Sequence, residues 1–302
     1  MLIWFVIIYW VISVGIGLWA ALRVRNTTDF AVAGRSLPFH IVTATVFATW
    51  FGSETVLGIP AVFLKEGLSG VVSDPFGSSL CLILVGLFFA RPLYRMNLLT
   101  IGDYYHNRYG RLAEVLTTLC IVVSYLGWVA AQIKALGLVF YTVSDGALLS
   151  AIKSCASATL LAPSVTFAEN ILRPYFRHLD DRQFLRVMQA VVLVFTTLVT
   201  LFALNSHLSI FHMVENAYKV TLVSSFVPLA FGMFWKHATR QGGLAAILLG
   251  LTSWLTCEVA FADAVVPPQM VGLLFSIGGM VVGSLLPQWI ADHAPVKEVH
   301  IA

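Results

Sequence analysis

A group of polar and helix-breaking residues interrupts an apolar stretch near the beginning of the chain. The stretch reads FATWFGSETVLGIP from Phe47 to Pro60, and its centre is Gly52-Ser53-Glu54. Backbone carbonyls freed by a break can coordinate a hard cation, and a carboxylate inside a membrane needs a partner. Two interpretations follow. The residues open a helix at the ion and solute site of a transporter, or they merely kink it while Glu54 reaches toward the membrane surface.

The composition places this group in a membrane protein. Of the 302 residues, 59% are apolar and 11% are charged, and the mean hydropathy is +0.87. A soluble domain is about 25% charged, so this chain lacks the polar groups to cover a surface in water. The composition argues against a soluble enzyme, a secreted disulfide scaffold, a disordered chain and a nucleic-acid binder. The four cysteines lie within apolar runs without paired spacing, which is typical of buried small side chains.

The apolar runs are long enough to cross a bilayer several times. A membrane helix needs about 20 apolar residues, and about nine segments meet this length. We therefore predict an all-α polytopic membrane protein, with a single membrane domain over residues 1–302. The first segment has no basic residues ahead of its apolar core, so we expect a retained span rather than a signal peptide. The predicted spans are residues 1–22, 39–64, 69–94, 112–142, 146–163, 184–204, 208–235, 243–261 and 268–290.

The basic residues predict the orientation of these spans. Fourteen of the eighteen Lys and Arg lie in alternate loops and in the tail, all on one side of the predicted membrane. The opposite loops hold only Lys65, and Lys134, Lys153 and Lys219 lie within spans. Loops rich in Lys and Arg stay in the cytoplasm. We expect a multi-pass protein, in a bacterial cytoplasmic membrane, with its N-terminus outside and its C-terminus in the cytoplasm.

A few charged residues near the spans have simple predicted roles. Lys219 follows Glu215 by four residues and is expected to pair with it on one helix face. Asp180 and Asp181 are expected to be solvated in an arginine-rich loop, and Glu258 to be hydrated at the outer end of a span. The eight histidines are scattered without metal-ligand spacing, so no metal site is predicted from them.

Several motifs along the chain resemble one family of membrane transporters. After the DFAVAGRSLP motif comes the interrupted stretch, and Gln132 lies in the fourth predicted span. The chain resembles the sodium:solute symporter family, which includes sodium/proline and sodium/sugar symporters. The further motifs are TIGDYY from Thr100 to Tyr105, RYG from Arg108 to Gly110, SAIKSCAS from Ser150 to Ser157 and LLAPS from Leu160 to Ser164.

The resemblance implies a sodium site and a solute pathway. The family fold pairs two inverted five-helix repeats within thirteen spans, and its sodium ion lies between the broken first core helix and the eighth. By motif position, the sodium ligands are the carbonyls of Ala48, Phe51 and Ala151 and the side chains of Ser154 and Cys155. On a helix, positions 151, 154 and 155 share an arc of about 100°. The solute-pathway candidates are Trp50, Gly52, Ser53, Glu54 and Gln132.

The chain departs from the family pattern in its ligands and in its length. Cys155 replaces a hydroxyl, and sulfur is a poor ligand for the hard sodium ion. Lys153 stands at a normally apolar position, although it points about 150° away from the ligand arc. Nine predicted spans against thirteen imply that the chain is internally shortened by about four helices. The gap falls near Val143 to Gly146 and removes core helices four to seven.

The resemblance leaves two functional hypotheses of different classes. In the first, the chain is a sodium-coupled secondary transporter that imports a small organic solute, and the overall look of the broken helix suggests a proline-like one. In the second, it is a non-transporting remnant or a membrane interaction protein. An enzyme or a sensor module is not expected. Sodium, the solute and the lipid bilayer are the expected partners, without any organic cofactor or nucleic acid, and nothing in the sequence specifies a homo-oligomer interface.

Overall fold

The computed structural model describes residues 2–52, 54–143, 157–260 and 266–290. Every regular element in these residues is a helix, as the composition predicts. Five wider π-helical segments directly adjoin α-helices, at residues 54–58, 72–77, 85–89, 168–172 and 222–226. The α-helices are α1 Leu2–Ala21, α2 Thr27–Val32, α3 Phe39–Trp50, α4 Ile59–Glu66, α5 Ser78–Leu84, α6 Ala90–Arg95, α7 Ile101–Tyr109, α8 Arg111–Val143, α9 Ser157–Phe167, α10 Asp181–Asn205, α11 Ile210–Thr221, α12 Val227–Phe234, α13 Arg240–Ala260 and α14 Pro268–Leu285.

Much of the described chain is long and apolar enough to cross a membrane. Six continuous helical stretches qualify, and a seventh is added if the segments Thr27–Arg35 and Phe39–Trp50, bent by 112°, count as one span. The protein is therefore a multi-pass membrane protein, while the count of about nine spans and the orientation stay predictions. The six stretches are Glu54–Arg95, Arg111–Ala135, Asp181–Asn205, Ile210–Phe234, Arg240–Ala260 and Pro268–Leu285.

The helices are grouped into two compact units. The first unit comprises the described residues within 1–77, 128–165 and 176–213, and the second comprises those within 78–127, 166–175 and 214–302. Helix α8 begins in the second unit and continues into the first.

In the first unit, α2 is tied to the beginning of α10. The backbone N–H and the hydroxyl of Thr27 both donate to the Asp181 carboxylate, each at 2.9 Å, and Thr27 is buried. Asp180 forms a capping box with Gln183 at the start of α10. The expectation that Asp181 is only solvated is therefore wrong, because its carboxylate satisfies two donors that would otherwise be buried without a partner.

Helix α9 extends past residue 163, the end of the fifth predicted span. It passes through Pro163 and continues as a π-helical segment to Leu172. A proline removes one helical N–H and leaves the carbonyl four residues earlier without its helical donor. The next residue, the buried Ser164, donates its hydroxyl to the Leu160 carbonyl at 2.7 Å. The first part of the predicted span, residues 146–156, lies outside the described residues.

In the second unit, three tyrosines of α7 bind backbone carbonyls around the start of α12. The hydroxyls of Tyr105 and Tyr109 donate to the carbonyls of Ser225 and Pro228 at 2.7 and 2.6 Å. Burial raises the pKa of both phenols, so they remain protonated donors. Wider turns and a proline leave carbonyls without helical partners, and the tyrosines supply the missing donors. This contact fixes α7 in the second unit.

Glycines let α13 and α14 approach each other closely. A Cβ atom added at Gly242 would lie 2.0 Å from the Ser284 Oγ, and one added at Gly283 would lie 2.9 Å from the Gly242 Cα. Small residues at helix contacts are typical of membrane proteins, where close packing replaces the hydrophobic effect as the force between helices.

We predict that Gly250→Ala destabilises the protein by about 1–3 kcal/mol, since overpacking at a close helix contact has costs of this order. An added Cβ at Gly250 would lie 2.1 Å from the carbonyl oxygen of the buried Val223. Thermal unfolding in detergent measures the change. The matched control is Gly278→Ala in α14, where no atom lies within 4 Å of the added Cβ. Equal melting temperatures for the two variants would contradict this account of the packing.

Candidate functional site

Helix α3 breaks where the sequence predicts. The helix ends at Trp50, and Phe51 has φ −84° and ψ 65°, outside the helical region. The Phe51 N–H still donates to the Phe47 carbonyl at 2.7 Å, while the Thr55 hydroxyl donates to the Trp50 carbonyl at 3.1 Å. The chain resumes as a π-helical segment at residues 54–58 before α4 begins at Ile59. The regular series of helical hydrogen bonds is therefore interrupted here, and the predicted break in this helix is confirmed.

Glu54 is directed into the protein rather than toward a membrane surface. Its exposed fraction is 5%, and a Cβ added at Gly58 would lie 3.5 Å from the Glu54 Cγ. The same Cβ would lie 3.7 Å from the Phe211 Cβ of α11, so Gly58 leaves room between the two side chains. A Glu54 side chain that reached toward the membrane surface would be exposed, so the burial of Glu54 argues against this interpretation. No feature of the sequence marked Phe211 as a neighbour.

Gln132 of α8, one of the solute-pathway candidates, lies against the break. A Cβ added at Gly52 would lie 3.1 Å from the Gln132 Nε2 and 3.2 Å from its Oε1. Gly52 thus allows a side-chain amide to contact the interrupted backbone. Trp50, at the end of α3, is half-buried. Gly52 and Gln132, 80 positions apart in the sequence, are brought together only by the fold.

The predicted sodium ligands are described only in part. Ala48 lies in the last turn of α3, and Phe51 is the first residue beyond it. The ring of Phe51 stacks on that of Phe47, with centroids 5.1 Å apart. Ala151, Ser154 and Cys155 lie outside the described residues, as do Lys153 and the solute-pathway candidate Ser53. The complete ligand set therefore stays a prediction.

Lys134 has a structural role that the sequence did not reveal. Its ammonium group donates to the carbonyls of Ser206 and Leu208, just beyond the end of α10, at 2.8 and 2.7 Å. A cation is favourable at a helix C-terminus, where carbonyls lack helical partners. Lys134 therefore holds α8 to the connection between α10 and α11, two residues from Gln132 in the sequence.

Charged residues of the second unit form a small group on α11 and α13. The Lys219 Nζ lies 3.7 Å from Glu215 Oε1, which confirms the predicted pair, and 3.9 Å from Glu258 Oε1. Glu258 also accepts a hydrogen bond from the indole N–H of Trp254 at 3.1 Å. The expectation that Glu258 is merely hydrated is wrong, because the fold brings Lys219 of α11 within 3.9 Å of its carboxylate.

We predict that Gly52→Ala presses on the Gln132 amide and lowers the free energy of unfolding by about 0.5–1 kcal/mol, less than a clash with backbone would. The added Cβ would lie 3.1 Å from the Gln132 amide, which has to shift. Thermal unfolding of a double-mutant cycle measures the coupling: Gly52→Ala is expected to cost less in the Gln132→Ala background. The same cost in both backgrounds would show that the two residues do not interact. Gly86→Ala, which meets no atom within 4 Å, is the control.

Comparison with known proteins identifies relatives of the chain. The family model "SSF: Sodium:solute symporter family" matches residues 30–144 and 134–250. High affinity choline transporter 1 of Homo sapiens is 30% identical over 164 residues, which are 51% of this chain and 28% of that protein. The Torpedo marmorata High-affinity choline transporter 1 is 27% identical over 150 residues, covering 46% and 26%. Solute carrier family 5 member 4 of Rattus norvegicus is 26% identical over 145 residues, covering 47% and 21%.

These matches decide the class of protein. The matched segments span only about a quarter of the length of the curated relatives. The relatives are transporters, which confirms the expectation that the chain is not an enzyme. They give no support to a proline-like solute, since two of the three are named for choline. The family model covers well over half of the chain, in the segments that carry the DFAVAGRSLP motif, the helix break and Gln132, and the chain belongs to the sodium:solute symporter family.

Proposed function

We propose that the chain takes part in sodium-coupled secondary transport of a small organic cation of the choline type. The observation that carries the proposal is the interrupted helix after Trp50, with Glu54 buried beside it, in a member of a sodium symporter family. Irregular backbone within a membrane protein is costly unless it lines a site, and broken helices hold ions and substrates in secondary transporters.

The chemistry of the break suits a cation better than an amino acid. A quaternary ammonium binds to an aromatic face, best to that of tryptophan, and Trp50 lies at the end of α3. The buried carboxylate of Glu54 adds attraction for a positive charge. A proline-like solute is a zwitterion, so Glu54 would attract its ammonium but repel its carboxylate, whereas choline carries a positive charge alone. The names of the choline transporter relatives agree with this choice.

Sodium is proposed to bind at the backbone of the same break. Carbonyl oxygens suit a hard cation, and the carbonyls of Ala48 and Phe51 lie where the helical ladder ends. Ala151, Ser154 and Cys155 would complete the ligand set, with Cys155 the weakest ligand because sulfur is soft. Ions at this backbone would hold it in one conformation while Trp50 and Glu54 hold the solute. Bound sodium would then raise the affinity for the solute, and bound solute would raise the affinity for sodium by the same factor, since coupling between sites is reciprocal.

A second candidate is a membrane protein of this family that does not transport. It is favoured by the two separate matches of the family model, residues 30–144 and 134–250, which overlap close to the gap predicted near Val143 to Gly146. A chain that lacks four core helices would produce such a divided match. An interaction role for the remaining helices would need no complete sodium site.

Uptake measurements distinguish the two candidates. We expect proteoliposomes that hold the purified chain to accumulate labelled choline when sodium is outside, and not when potassium replaces it. Ser154→Ala is expected to abolish the sodium dependence, because it removes a proposed sodium ligand. Labelled proline is the comparison solute, and the reconstituted amounts of both proteins are matched. A folded, reconstituted chain without sodium-dependent choline uptake would support the non-transporting candidate.

The proposed role of Trp50 predicts a graded effect on affinity. We expect Trp50→Leu to raise the apparent KM for choline about 5- to 30-fold, since a desolvated cation–π contact contributes about 1–2 kcal/mol. Trp50→Phe is expected to raise KM less, because a smaller aromatic face remains. The sodium dependence of uptake is expected to persist in both variants. Equal KM values for the leucine and phenylalanine variants would contradict an aromatic contact with the solute.

A further inference from the structure

A buried polar cluster in the second unit is built around the TIGDYY motif, which the proposed sodium and solute sites do not use. Thr100 caps α7 in a capping box, in which the Asp103 Oδ2 accepts from the backbone N–H groups of Thr100 and Leu99, each at 2.9 Å. The other Asp103 oxygen and the Thr100 hydroxyl are left for a partner from elsewhere in the chain.

That partner is Asn170, in the π-helical segment that continues α9. Its exposed fraction is 1%. The Asn170 amide nitrogen donates to the Asp103 Oδ1 at 3.0 Å and to the Glu114 Oε1 at 2.9 Å, and its oxygen accepts from the Thr100 hydroxyl at 2.7 Å. One side chain therefore uses both of its donor hydrogens and its acceptor to join the end of the α9 segment to α7 and to the start of α8. We refer to Thr100, Asp103, Glu114 and Asn170 as the Asn170 cluster.

The charges around the cluster are compensated locally. The second Glu114 oxygen lies 2.6 Å from the His106 Nδ1 and 2.8 Å from the Arg111 Nη1, and the Glu114 side chain is buried. Arg111 also donates to the backbone carbonyl of Asn170. The carboxylates of Asp103 and Glu114 thus both accept from the Asn170 amide, and the Arg111 guanidinium balances the charge of Glu114. Removing the amide would leave the Asp103 and Glu114 oxygens that face it without their donor.

Gly102 shows how closely the cluster is assembled. A Cβ added at Gly102 would lie 2.5 Å from both the Cγ and the Oδ1 of Asn170. Helix α7 therefore lies directly on the amide, and any other residue at position 102 would displace it. This contact offers a way to disturb the cluster without removing a polar group.

We infer that Asn170 is a positioning residue for the sodium-coupled cycle. The helical segment that begins at Ser157 runs without interruption to Leu172, and Asn170 fixes its end. The proposed ligands Ala151, Ser154 and Cys155 precede this segment directly in the sequence. The backbone of this segment is helical throughout, despite Pro163 and the π-helical turn, so order at one end can extend to the other through its hydrogen bonds. A sodium ion that orders the beginning of the segment would therefore also stabilise the Asn170 cluster at its end.

The inference rests on the proposed function, since it requires sodium to bind near the beginning of this segment. Hydrogen–deuterium exchange of the purified full chain, with sodium or with potassium at equal ionic strength, tests both ideas separately. Residues 46–52 report on the proposed sodium site, and residues 98–115 and 166–175 report on the Asn170 cluster. In the unaltered protein we expect sodium to slow exchange in both regions.

In Asn170→Ala we expect the exchange of residues 98–115 to be about tenfold faster, because buried hydrogen bonds are lost. The effect of sodium on these residues should disappear, while sodium still protects residues 46–52. Gly102→Ala should reproduce both changes, and Gly278→Ala, with no atom within 4 Å of its added Cβ, should cause neither. Loss of the sodium response, rather than faster exchange alone, separates positioning from a merely structural role.

Two results would overturn the inference by different routes. If sodium protects residues 46–52 of the unaltered protein but leaves residues 98–115 and 166–175 unchanged, the sodium site stands and the coupling to Asn170 is wrong. If sodium protects neither region, the proposed function fails, and the inference fails with it.

Thr100→Val removes one hydroxyl and preserves the side-chain shape, so it replaces Asn170→Ala as the test variant if the latter does not fold. An unchanged sodium response in that variant and in Gly102→Ala would likewise contradict the inference.

Discussion

The satisfaction of backbone polar groups away from water is the constraint on which the rest of this structure depends. Regular helices meet it within themselves, and this chain departs from the regular helix at several places. At three of these places a side chain binds a backbone carbonyl. The Tyr105 and Tyr109 hydroxyls bind carbonyls around the start of α12, the Thr55 hydroxyl binds the Trp50 carbonyl, and Lys134 binds carbonyls beyond α10. The irregular segments are therefore part of a specified structure.

The same constraint connects the break in α3 to function. An interrupted helix leaves carbonyls that a cation can use, and the family of this chain is named for sodium. Glu54 and Gln132 give the break a polar environment, one by its buried charge and the other by its contact with Gly52. The proposed site would serve coupled binding because the ion and the solute would share one backbone segment, so that binding of either one would order this segment for the other.

Predictions from the sequence held where they depended on neighbouring residues. The helix break follows from the local clustering of Gly52, Ser53 and Glu54, and the Lys219–Glu215 pair follows from helical spacing. They failed where a partner came from a distant part of the chain. The hydrogen bonds between Thr27 and Asp181 join residues 154 positions apart, and no local pattern could identify that contact.

The sequence by itself determined the class of protein, the approximate position of the apolar helices, the place of the break and the family to which the motifs belong. These properties depend on overall composition, on the spacing of apolar residues along the chain and on short motifs, all of which can be read without knowing which segments are in contact. Only the tertiary structure decided that Gln132 lies against Gly52, that Glu54 is buried, and that Asn170 joins Asp103 to Glu114. Each of these depends on which helix faces are turned toward one another. That choice is made by close packing and by the pairing of buried polar groups across the whole chain, so no single segment contains the information.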